Sequence, residues 1–234
     1  MILDFIMRSY QSSEGLVEDS FRFIIRNKYS CFVMVWRLCF LLLVILSVVE
    51  AIRNKILERK NINEAILYKI MLSISPWNNV DALHLIHNNT KYVNCAMGEY
   101  MYTPFLLACY HGNTPLVKYM LSVGADIKSK TSRGESPFFL AVAHLIKNPF
   151  SVDATCIREL FYAGCNINEP NIKGYTPLHL AAAFGHRTLI KWLLEKGANA
   201  MVLPSPVQIA SSRGHFQAAS LISNWENKRK MITQ

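Results

Sequence analysis

KGYTPLHLAAAFGHRTLIKWLLEKGANA, from Lys173 to Ala200, reads as a pair of short helices with a stop signal after each. Thr176 stands before Pro177, the order wanted at a helix start: the hydroxyl caps a free amide, and a proline in the first turn lacks only an N–H that would have had no partner. Leu178, Ala181 and Ala182 are small or apolar at helical spacing. A second helix carrying Leu189, Ile190, Leu193 and Leu194 can therefore pack closely against the first. Gly185 separates the two helices, and Gly197 follows the second where a left-handed cap is wanted. The polar stretch Asn168 to Tyr175, with Gly174, turns before the next helix. One such pair cannot bury both of its faces, so neighbours must stack on it.

The neighbours are visible as a repeat. Thr103-Pro104 recurs as Ser136-Pro137, Thr176-Pro177 and Ser205-Pro206, at spacings of 33, 40 and 29 residues. A second marker, GADI at Gly124, GCNI at Gly164 and GANA at Gly197, is spaced by 40 and 33. The two series together predict seven extra residues between Ser136 and Gly164 and four missing residues between Gly197 and Ser205. Helices are expected to begin at Pro104, Pro137, Pro177 and Pro206.

At these marks the chain resembles the ankyrin repeat family. Lys173 to Ala200 matches the family pattern almost position for position, and TPFLLACYHGNTPLVKYMLSVGADI, Thr103 to Ile127, is a good second match. ESPFFLAVAHLIKNP is interrupted by its insertion, and PSPVQIASSRGHFQAASLI resembles a terminal unit with a shortened connection. The resemblance covers roughly Tyr100 to Trp225. It implies an all-α, ankyrin-type helical solenoid of four to five helix pairs with a separate N-terminal apolar helix. The expected organisation is a leader over 1–30, an apolar helix over 31–52, degenerate capping helices over 53–98, repeats over 99–225 and a basic polar tail over 226–234. Ile62 to Ile74 and Asn79 to His87 supply the capping pair.

The 234 residues are 51% apolar and only 18% charged, which argues against disorder. Lys and Arg outnumber Asp and Glu 25 to 16, but the surplus is spread along the chain. It forms no concentrated stripe of the kind a nucleic-acid binder shows. Six cysteines (31, 39, 95, 109, 156, 165) include no CxxC pair, which suits reduced thiols in the cytosol. Cys31 to Val49 reads CFVMVWRLCFLLLVILSVV, with Arg37 its sole charge, and is long enough to span a bilayer. A membrane anchor, a buried or interfacial helix and a cleaved leader are the three readings of it. Basic residues flank both sides equally, so charge does not orient it.

No carrier of catalysis is visible: the sequence has no GxSxG elbow and no GxxxxGK[ST] phosphate loop. His84 and His87 lie three apart on one helix, without a third metal ligand beside them. No cofactor is expected. Lys228, Arg229 and Lys230 read as a solvated tail, and the sequon at Asn88 as chance. The resemblance implies that partners are gripped by the hairpin tips and by the exposed first-helix positions of a concave side. Carried onto this chain one unit at a time, these are Tyr100, Tyr102, Tyr110 and His111, then Ser132, Arg133, Glu135 and His144, then Lys173, Tyr175 and Phe184, and last Arg213. Met101 replaces the usual glycine of the first hairpin, so a distorted tip is expected there. The missing four residues should remove the last hairpin. The expected function is that of a non-catalytic adaptor for unidentified protein partners, without nucleic acid or small-molecule substrate, held at a membrane through 31–49 with its repeats toward the cytosol. The alternatives are a regulatory ankyrin part of a larger membrane protein, a channel or an acyltransferase, and a ubiquitin-ligase substrate adaptor. The last would need a recruiting box, for which the short stretch after Trp225 leaves little room.

Overall fold

The computed structural model describes residues 30–75, 80–148 and 154–232, with the side chains of 30–40, 43 and 229–232 outside that description. The expected leader over 1–30 therefore lies almost wholly outside the described residues. The chain divides into two units, Met1–Ile62 and Asn63–Gln234.

In the first unit the backbone is helical from Ser30, as part of α1 (Ser30–Ser73). The apolar helix and the first capping helix are thus one continuous helix where two were expected. The reason is in the sequence: between Cys31 and Ser73 there is no glycine and no proline to stop it. Leu41, Leu42, Ile45, Leu46, Val49 and Ile52 are all exposed, and the Ser47 hydroxyl donates back to the Val44 carbonyl at 2.9 Å. Among the described residues no helix is long and apolar enough to cross a membrane. The first half of the expected anchor, 31–40, carries side chains outside the description.

The second unit is built of helix pairs. The end of α1 and α2 (Val80–His87) come first and both contribute to the apolar core, followed by a short 3-10 turn, Thr90–Tyr92. Then come α3 (Pro104–Tyr110) with α4 (Thr114–Ser122), α5 (Pro137–Lys147) with α6 (Thr155–Tyr162), α7 (Pro177–Ala183) with α8 (Arg187–Glu195), and α9 (Pro206–Ser212) with α10 (Phe216–Ile232). Helix α3 packs on α5, α5 on α7 and α7 on α9, while α2, α4 and α6 form a second row and α8 packs on α10. All four inner helices begin at the expected prolines. Thr103 accepts from the Leu106 amide at 3.1 Å and Ser136 from the Phe139 amide at 3.2 Å. A single apolar core runs through the unit, from Leu67, Ile70 and Ile86 through Phe105, Phe138 and Leu178 to Ile190 and Ile222.

Two further departures from expectation have local causes. Helix α5 is eleven residues long where α3, α7 and α9 are seven, so the insertion first adds a helical turn. Leu145 stands where Gly112 ends the equivalent turn of the preceding unit, and nothing breaks the helix there; the rest of the insertion, 149–153, lies outside the described residues. The expected polar tail is helical to Ile232, again without a glycine or proline to end it after Gly214.

Candidate partner-binding surface

Between the helix pairs the chain forms narrow β-turn fingers. In the first, the Met97 amide donates to the Tyr102 carbonyl at 2.8 Å and the Met101 amide to the Gly98 carbonyl at 3.1 Å. In the second, Thr131 N–H donates to the Glu135 carbonyl at 3.1 Å and Gly134 N–H to the Thr131 carbonyl at 2.8 Å. The third repeats this with Asn171, Tyr175 and Gly174. A side-chain oxygen braces the last two: Thr131 Oγ1 accepts from the Arg133 and Glu135 amides at 3.3 and 3.2 Å, and Asn171 Oδ1 from those of Lys173 and Tyr175 at 3.0 Å. Met101 occupies the place of Gly134 and Gly174, and it adopts their left-handed backbone, with φ of 53° against 72° and 78°. The tip turn itself is kept, while the bond that closes the finger spans one residue more, Met97 to Tyr102 against Thr131 to Glu135. Met101 thus holds a side chain in a region that favours glycine. No fourth finger forms before Ser205, in accord with the missing residues.

The residues expected to bind partners fall into two groups. Tyr100, Tyr110, Ser132, Arg133, Lys173, Tyr175, Phe184 and Arg213 are exposed, whereas Tyr102, His111, Glu135 and His144 are half-buried. The exposed ones pair across repeat boundaries. The Arg133 guanidinium lies 4.6 Å from the Tyr100 ring centre, Lys147 Nζ 5.3 Å from that of Tyr110, and Arg213 5.8 Å from that of Phe184. Each pair joins an aromatic of one unit to a cation of the next. Lys147 was not among the residues carried over; it reaches Tyr110 from the extra turn of α5, where the repeat spacing placed an insertion but did not show it as helix.

The half-buried group holds the surface together. Tyr102 meets Tyr110 edge-on at 6.0 Å, and Tyr110 meets His111 at 5.2 Å. Burial pushes the Tyr102 phenol up to about 12, with the neighbouring Glu135 charge adding to it. His144 donates its Nδ1 proton to the Tyr110 carbonyl at 3.1 Å, with its ring over Gly112, where a Cβ would come within 2.3 Å of it. It is a clasp between units more than a free contact. Burial holds both His111 and His144 below the usual imidazole range.

Several other titratable groups are engaged in the fold. His179 accepts the Thr176 amide on Nδ1 at 2.8 Å and donates from Nε2 to the Pro204 carbonyl at 2.5 Å, tying the third unit to the fourth. His87 Nδ1 bonds the Tyr119 hydroxyl at 2.9 Å. Among the described residues no group of three or more His, Cys, Asp or Glu is placed to hold a metal ion. Burial pushes the Cys109 thiol up and that of Cys165 to about 12, far from nucleophilic thiolate.

Comparison with known proteins bears on this geometry directly. The family model for ankyrin repeats in three copies matches residues 150–231, and that for a single ankyrin repeat matches 100–129. Over these residues the chain carries ankyrin repeats. Its ankyrin segment is 32% identical over 84 residues to an ankyrin repeat protein of Variola virus, OPG189, covering 36% of this chain and 14% of that protein. It is 36% identical over 98 residues to the human transient receptor potential cation channel subfamily A member 1, covering 41% of this chain and 8% of the channel. It is 33% identical over 142 residues to human ankyrin repeat and SOCS box protein 16, covering 57% and 30%. The chain thus spans less than a third of the length of each of these relatives. As ankyrin repeats, these units form a protein-interaction module, and proteins built of them are generally non-catalytic scaffolds.

Proposed function

We propose that this ankyrin protein is a non-catalytic adaptor that binds a protein partner on the fingers and the adjoining ends of the inner helices. The observation that carries the reading is the set of exposed aromatic–cation pairs, Tyr100 with Arg133, Tyr110 with Lys147 and Phe184 with Arg213. Aromatic rings already held by a neighbouring cation offer large contact area at little further entropy cost, which is the make-up of binding hot spots. Changing Tyr100, Tyr175 and Phe184 together to alanine should abolish partner recovery in affinity capture while circular dichroism stays helical. Tyr102 is excluded from this set because its half-buried ring supports the fold. Unchanged recovery would move the site elsewhere.

The same proposal includes a membrane tether through 31–49. A helix with a run of exposed apolar side chains, here Leu41, Leu42, Val44, Ile45, Leu46, Val48 and Val49, calls for an apolar surrounding. The repeats would then face the cytosol, whose reducing conditions suit the unbridged thiols of Cys95, Cys109 and Cys165. Carbonate extraction of the full chain beside a version beginning at Arg53 tests the tether. Retention of the full chain alone in the membrane fraction is expected, and release of both would remove the tether from the proposal.

A further inference from the structure

The fingers are joined by a regular set of backbone bonds that ends with one place unfilled. The Ser132 amide donates to the Tyr100 carbonyl at 2.9 Å, and the Ile172 amide to the Arg133 carbonyl at 3.0 Å. Tyr100, Arg133 and Lys173 each precede the residue of positive φ in their finger. The next carbonyl in the series is therefore that of Lys173, and no described residue donates to it. A side-chain contact ends at the same point. At the filled junction Ile172 covers Gly134, where a Cβ would lie 3.1 Å from Ile172 Cγ2. At Gly174 the nearest atom to the same position is the Leu203 carbonyl oxygen at 3.7 Å. The shortened segment that replaces the fourth finger leaves Met201 56% and Leu203 87% exposed.

We propose that the open edge of the third finger is a docking site for an extended segment of a protein partner, which stands in for the missing finger. The segment supplies one backbone N–H to the Lys173 carbonyl and a β-branched side chain over Gly174, as Ile172 does over Gly134. A second apolar side chain lies against Met201 and Leu203. Main-chain pairing gives the register and the side-chain places give the selectivity, the logic of strand addition at a sheet edge. This rests on the reading of the chain as a protein-binding module, but it uses none of the aromatic–cation pairs.

The probe is a fluorescein-labelled peptide copying residues 168–176 of this chain, the finger that fills the equivalent place on finger two. It is titrated into the full chain in mild detergent and followed by anisotropy. Saturable binding with a Kd below about 1 mM is expected. Aspartate in place of the isoleucine of the peptide should weaken binding about fivefold or more, and Leu203→Glu in the chain about threefold, without change in circular dichroism. Four residues inserted after Met201, which restore the spacing of a full finger, should abolish it. Tyr100→Ala and Phe184→Ala should leave it intact, so failure of the adaptor surface and failure of this site are told apart. Absence of saturation, or equal binding by the aspartate peptide or by Leu203→Glu, overturns the proposal.

Discussion

His179 shows how much one side chain carries when it is used at both ring nitrogens. Its bonds to the Thr176 amide and the Pro204 carbonyl require the neutral form protonated at Nε2. Burial holds its pKa below the usual range, the Pro204 bond opposing this only in part, and His144 is lowered in the same way. The folded-state pKa values lie below those of the unfolded chain, so acidification protonates the unfolded state first. Stability should be full above about pH 6.5 and fall progressively below it. Thermal melts at pH 7.5 and pH 5 are expected to show the lower midpoint in acid, and His179→Gln should reduce that loss while costing about 1–2 kcal/mol at pH 7.5. Met101 is the opposite case, a residue whose position was legible but whose consequence was not. The missing glycine was plain in the sequence, yet the hydrogen bonds of the finger outweigh the cost of a left-handed methionine. Met101→Gly should therefore raise stability by up to about 1 kcal/mol, measured by urea denaturation.

Among the elements, the starts of the inner helices were readable because Thr-Pro and Ser-Pro fix both a capping hydroxyl and a backbone angle. The ends were less so. Helix α5 runs past the place where its relatives stop, because the residue there, Leu145, finds an apolar site and no glycine intervenes. The long reach of α1 was hidden differently: apolar and charged stretches read as two elements, but a change in polarity does not break a helix unless a breaker residue accompanies it. The caps are not equivalent, although the sequence makes them look alike. Thr103 accepts an amide hydrogen bond, and Ser205 makes no side-chain cap bond. Thr103→Ala should cost about 1 kcal/mol in chemical denaturation, whereas Ser205→Ala should be close to neutral.

For the repeat unit as a whole, stability is shared between neighbours, so a pair with fewer links should open first. The last pair, α9 with α10, lacks a finger and a side-chain cap, and Trp225 Nε1 is buried without a hydrogen-bond partner. Hydrogen exchange followed by mass spectrometry should find its amides least protected, with those of α5 and α7 most protected; uniform protection would show that the missing finger costs nothing. The array was legible in outline because its period is written in prolines and glycines. The candidate surface was legible only as positions, because the pairing of Arg133 with Tyr100 or of Lys147 with Tyr110 depends on stacking between units that no single repeat encodes. The absent fourth finger also bears on how such a chain could lengthen. Tandem copying of its final module would propagate the gap and give a run of hairpins with bare turns, whereas duplication of the module around Thr176 would pass on a complete set of joints. Any longer descendant with regular joints therefore did not grow by copying its final pair.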